Sequence, residues 1–199
     1  MLTLTRRAGE RIYIGNDVVI EVVSVGPNRV QIGVRALRTI PVVRGELIEQ
    51  VQEANRSAQS PSAAAVQRRN DALFFPRGLL GFESFQRWVL CDLAEAPDGD
   101  GIGLRVLVAQ DDPNIRLLVA DLEAIAPEYP FDHAAEKSGL EGTLVYAAVI
   151  TARPEGATVN LAAPLVLSVE AREGAQVVVG RRDLAVQTSL QSLILREAS

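Results

Sequence analysis

The sequence predicts a mainly β chain in two parts: a small five-stranded domain closed by one helix, then a larger antiparallel β-barrel or sandwich. Three observations carry this reading. Apolar residues alternate with a period of two up to about residue 43, the period becomes helical at Glu46, and short apolar runs recur between Gly- and Pro-bearing turns from Trp88 to Leu195.

In the first part the alternating pairs and triples are Leu2 and Leu4; Ile12 and Ile14; Val18, Ile20 and Val22; Val30, Ile32 and Val34; and Ile40 and Val42. Turn signals at Gly9, at Gly15-Asn16-Asp17 and at Gly26-Pro27-Asn28 separate them, which is the punctuation of a β-meander. Leu47, Ile48, Val51 and Ala54 then fall on one helical face, predicting a short amphipathic helix that ends near Asn55 or Arg56. A unit this small, without disulfides or metal, gains burial by dimerising. Residues 57–72, rich in Ser and Ala and lacking apolar periodicity, read as a flexible linker. The domains are therefore 1–56 and 73–199. In the second, runs at Trp88–Leu93, Leu104–Ala109, Ile115–Ala120, Leu144–Ala152, Ala157–Leu161, Leu165–Val169, Gln176–Val179 and Leu193–Leu195 predict strands, and His133–Lys137 a short helix.

Composition removes several function classes. Of 199 residues, 48% are hydrophobic, enough for a core, yet the chain holds one Cys and one His. Cys91 and His133 are far apart in sequence, so Cys/His zinc sites, intramolecular disulfides and a His-paired nucleophile are not expected, and both residues read as structural. No apolar run approaches the roughly 20 residues of a membrane span, so a cytoplasmic protein is expected. No convergent set of catalytic groups is present, and no cofactor or metal is expected. Asp111-Asp-Pro113 reads as a turn rather than a cation site. Asp98-Gly-Asp-Gly-Ile-Gly103 reads as a hairpin, since it has neither the spacing and closing Glu of a calcium loop nor a dinucleotide fingerprint. The net charge of −5 hides a split: residues 1–70 hold ten Arg and six acidic residues, +4, and the remainder carries −9. A basic part joined to an acidic one suggests either two unrelated surfaces or an acidic partner that occupies the basic one.

Met-Leu-Thr-Leu-Thr-Arg-Arg-Ala-Gly-Glu10, Ile14-Gly15, Val30-Gln-Ile-Gly-Val34 and Val42-Val-Arg-Gly-Glu46 resemble the carbon storage regulator family, CsrA, in order and spacing over residues 1 to about 56. The resemblance implies an intertwined homodimer of five-stranded protomers that binds GGA-containing mRNA 5′ leaders. Carried over by position, the RNA surface would comprise Leu4, Arg6, Arg7, Val42, Arg44 and Leu47. Arg44 offers a bidentate fork to guanine, and splayed loop bases are what sequence-specific RNA readers usually grip. The chain departs from the family at Val43, where a histidine is usual, at Pro41, which removes a strand donor, and at Gly45, where a polar residue is common.

Phe75-Pro-Arg-Gly-Leu-Leu-Gly-Phe82 resembles the opening signature of the flagellar assembly factor FliW. Matches follow at Asp111-Asp-Pro113, Pro127-Glu-Tyr129, Thr158–Val166 and Gln176-Val-Val178. That likeness implies a β-barrel domain that binds flagellin and CsrA. It also implies docking of the FliW-like domain on the CsrA-like helix through Leu47, Ile48, Val51 and Asn55, in cis or in trans. A helix C-cap is a compatible role for Asn55. The expected function is translational regulation coupled to flagellin. The alternative is a flagellin-binding chaperone in which the CsrA-like half only dimerises.

Overall fold

The computed structural model describes residues 2–37, 40, 42, 44–58, 66, 67, 72–93, 102–153 and 156–197. Pro41, Val43, most of segment 57–72 and the start of the Asp98–Gly103 segment lie outside them. By packing, the chain divides into two compact units, Met1–Val42 and Val43–Ser199.

The first unit is an antiparallel meander of β1 (Arg11–Ile14), β2 (Val18–Val25) and β3 (Val30–Ala36). Gly15, at φ 59°, makes the first turn, and Gly26 N–H donates to Arg29 O at 2.8 Å across the second. Arg11 faces Glu21 directly across β1 and β2 and pairs with it at 2.9 Å. Of the five strands expected, three form ladders within the chain; the stretches at Leu2–Leu4 and at Ile40 and Val42 are in no ladder among the described residues. No described residue from 2 to 37 is buried, and Leu2, Ile14, Val23, Val25, Ile32 and Val34 are exposed.

The second unit opens with α1 (Gly45–Ser57), the helix expected from the change of period. Thereafter come β4 (Val66–Gln67), β5 (Ala72–Phe74), β6 (Arg87–Leu93), β7 (Arg105–Ala109) and β8 (Arg116–Asp121), then α2 (Leu122–Ile125) and α3 (Phe131–Ser138). The chain continues through β9 (Leu144–Arg153), β10 (Gly156–Val159), β11 (Leu165–Ser168), β12 (Glu173–Gln176), β13 (Thr188–Ser189) and α4 (Leu190–Glu197). Strands β5, β6, β7, β8, β9, β11 and β12 close into a ring, so the barrel reading holds. Every pairing is antiparallel except the closing one, where Glu173 of β12 meets Phe74 of β5 in parallel. The ten-residue β9 organises the ring: one edge pairs with β8, and the other pairs first with β11 and then, from Ile150 on, with β10. No helix among the described residues is long and apolar enough to cross a membrane.

Alternation along β8 and β9 explains why they read as continuous apolar runs. Leu117, Val119, Ala147 and Val149 enter a core inside the barrel with Phe75, Leu79 and Trp88. Ala120, Tyr146, Ala148 and Ile150 face a second core, with Leu122, Ile125, Ala134 and Val159. Both faces are buried, so no polar residue marks the period. Two expected strands are corrected. Leu193–Leu195 lies in α4, where Leu190 and Leu193, three apart, pack on the second core as helical spacing requires. The expected Gln176–Val179 strand is displaced to Glu173–Gln176; beyond it Val177 and Val179 donate to Pro164 O and Ala162 O, both at 3.0 Å, outside any ladder. Within 57–72, Val66–Gln67 pairs with Leu93 and Asp92.

Candidate binding site around the first helix

Helix α1 begins at Arg44, whose extended backbone (φ −72°, ψ 135°) makes it the N-cap. The Leu47 and Ile48 amides donate to its carbonyl at 3.1 and 3.4 Å. Glu46 in the first turn and Arg56 in the last both favour the helix dipole. Spacing then sets the faces. Val51, Ala54, Asn55 and Ala58 are buried on one side, with Leu47 and Ile48 half-buried, and Ala58 joins the barrel core.

The surface that receives this face is the Phe75–Phe82 segment and the end of β12. Gly78 sits at φ 64°, and a Cβ there would lie 2.6 Å from the Glu83 Cα and carbonyl oxygen, so the turn admits only glycine. Gly81, at φ 87°, serves the helix: a Cβ would stand 3.0 Å from Gln52 O and 3.4 Å from Gln52 Cα. That close approach lets Asn55 reach the loop. Its Nδ2 donates to Leu80 O and to Gln176 Oε1, both at 2.8 Å, and Gln176 Nε2 returns a bond to Asn55 Oδ1 at 3.4 Å. Asn55 has no exposed surface, so these bonds offset the cost of burying an amide. At the rim, Glu83 Oε1 accepts from Gly81 N at 2.8 Å and from Gln52 Nε2 at 3.0 Å. The Gly81 amide first, then the Glu83 amide, the Gln52 side-chain amide and nearby Arg56 hold the Glu83 carboxyl below its usual range, against the opposing effect of burial.

The four residues expected to dock are thus on one stripe of α1, Val51 and Asn55 fully buried. Those expected to meet RNA fall in both units. Leu4, Arg6, Arg7 and Val42 are exposed in the first, with Arg6 Nη1 donating to Thr5 O at 2.8 Å and Arg7 N to Glu10 Oε2 at 2.7 Å. Arg44, exposed, and Leu47 belong to the second, at the start of α1. Asp111-Asp-Pro113 is a turn: Asp112 Oδ1 accepts from the Asn114 amide and Nδ2, both at 3.0 Å, and Asp111 pairs with Arg87 at 3.2 Å. No group of three or more His, Cys, Asp or Glu side chains stands together among the described residues. Sequence reasoning gave no individual role to Gln52, Gly81, Glu83 or Gln176. The last sits at the head of a valine run, and one polar residue there is the only signal it offers.

Comparison with known proteins matches this arrangement. The family model for FliW protein matches residues 60–190, and that for the CsrA global regulator protein family matches residues 1–53. The translational regulator CsrA of Nocardioides sp. is 47% identical over 62 residues, 31% of this chain and 75% of that protein. That of Shouchella clausii is 41% identical over 66 residues, 33% of this chain and 84% of that protein. A crystal structure of the flagellar assembly factor FliW shares the fold, with a TM-score of 0.52 at 22% identity, covering 62% of this chain and 88% of that one. The chain therefore belongs to both families, a CsrA regulator domain followed in the same polypeptide by a FliW domain.

Proposed function

We propose that the chain is a translational regulator that binds GGA-containing mRNA 5′ leaders, and that its FliW domain makes this binding answer to flagellin. One observation carries the reading: Arg44, an RNA-contact candidate, caps the same helix whose Val51 and Asn55 are buried on the barrel side. Whatever holds or releases α1 acts on Arg44 and Leu47 directly. In this reading Leu4, Arg6, Arg7, Val42, Arg44 and Leu47 grip the leader across a dimer, one set of strands from each chain. The docked helix is the state unable to grip it. Tethering raises the local concentration of the barrel to the millimolar range, so even a micromolar contact is occupied about a thousandfold over. Flagellin that engages the barrel then frees the helix and switches off its own translation.

Leader binding by the full-length protein, with and without flagellin and at fixed salt, tests this, since phosphate contacts make affinity salt-dependent. Binding that appears only with flagellin and vanishes in Arg44→Ala is expected. Absence of leader binding under every condition returns the CsrA half to a dimerisation role.

A further inference from the structure

Among the groups around α1, Gln176 has both ends of its amide set from outside the helix. Its Oε1 accepts from Leu80 N at 3.0 Å and its Nε2 donates to Ala163 O at 3.2 Å. Those are backbone groups of two loops, one acceptor and one donor, so they permit a single orientation of the amide. Ala163 is itself held, its amide donating to Oδ1 of buried Asn160 at 3.1 Å. What remains on Gln176 is an oxygen beside the Leu80 carbonyl and one free N–H. Asn55 supplies the complement: both N–H groups of its amide go to Leu80 O and Gln176 Oε1, and its oxygen receives the last Gln176 N–H. All four amide N–H groups of the pair are then used.

We infer that Gln176 is the specificity-determining residue of the barrel's helix-docking surface, a pre-oriented receptor that accepts a side-chain carboxamide and rejects a carboxylate or an apolar group. Asn160 is its positioning residue, acting through Ala163. The ligand class follows: a helix that presents a carboxamide at the Asn55 position and comes close enough at Gln52 to lie on Gly81. A carboxylate would set its oxygen against two acceptors, Leu80 O and Gln176 Oε1, and an alkyl group would leave both with a donor lost.

The inference rests on α1 being the ligand of the barrel, so the test reads that contact without RNA or flagellin. Amide hydrogen exchange is followed in the full-length protein over α1, with β6, β7 and β8 as the internal control. In the unaltered chain α1 should be protected; an unprotected α1 overturns the docked state on which the proposed function rests. Given a protected helix, Gln176→Ala and Gln176→Met should each speed α1 exchange at least tenfold and leave the control strands unchanged. Asn55→Ala should match them, and the double variant Asn55→Ala with Gln176→Ala should be no faster than either single one. Asn55→Asp should exceed Asn55→Ala, and by less once Gln176 is Ala. Unchanged α1 exchange in the Gln176 variants, independent multiplication of the two effects, or loss of protection in β6–β8 together with α1 would assign Gln176 to the barrel's own architecture and overturn the receptor.

Discussion

Glycines 81 and 174 separate two costs that a single residue type can carry. At Gly174 an added Cβ would lie 2.4 Å from Cε1 and Cζ of Phe75, a ring with no exposed area and no room to swing away. Gly174→Ala should therefore destabilise the barrel itself by about 1–3 kcal/mol, read as a lower melting temperature in differential scanning calorimetry. At Gly81 the obstacle is Gln52 O, on the helix, with a positive φ added. Gly81→Ala should loosen α1 while the barrel strands keep their exchange protection; equal loss in both would show that Gly81 serves the loop alone. Glu83 adds a pH dependence with a definite sign. Its carboxyl is depressed in the folded state, chiefly by the Gly81 amide, so the stabilisation is present above its unfolded value and is lost as pH falls through the folded one. Acidification into and below the carboxylate range should therefore lower the melting temperature through the Gly81–Glu83 loop, and Glu83→Gln should flatten that dependence.

Helix α1 is the element in which sequence and structure agree most closely. Its period-3.6 stripe predicts both its existence and its buried face, because a helix packed on one side keeps the other side polar. Val51, with no exposed area, is the apolar centre of that face. Val51→Ala removes about two methylenes, about 1.5 kcal/mol at about 0.8 each, and should leave α1 undocked about tenfold more often. Tryptic cleavage after Arg56, which is exposed at the last turn, measures it. The barrel strands were legible for a different reason, their apolar runs being cut by Gly and Pro. What stayed hidden has physical causes. Leu193–Leu195 is three apolar residues, too short to distinguish periods of 2 and 3.6. Strands β5, β4 and β13 are three and two residues long and exist only because a neighbouring edge receives them. Gln176 acquires its role from Leu80, 96 residues away, and Asn55, 121 residues away, a separation that no local pattern encodes.

Among the described residues, the second unit has two well-packed cores and the first has none. Ile32 is 57% exposed, Ile14 55% and Val34 44%, on a three-stranded sheet with no buried residue from 2 to 37. Leaving this much apolar strand in water forgoes the burial that stabilises larger domains, and a unit this small has little other burial to offset it. In the proposed dimer a second copy of the chain would supply that missing burial by covering the β2–β3 face. Sedimentation analysis of the full-length protein should give twice the chain mass down to low micromolar concentration. Val34→Asp places a charge on that face. On a solvated surface such a change costs within about 0.5 kcal/mol and alters nothing else; on a dimer face it buries an unpaired carboxylate. The expected result is a monomer whose barrel melts as before and whose leader binding is lost, because the proposed RNA surface needs Leu4, Arg6 and Arg7 of one chain beside Val42 and Arg44 of another. A Val34→Asp protein that keeps both its mass and its RNA binding would show that each chain builds its RNA surface alone.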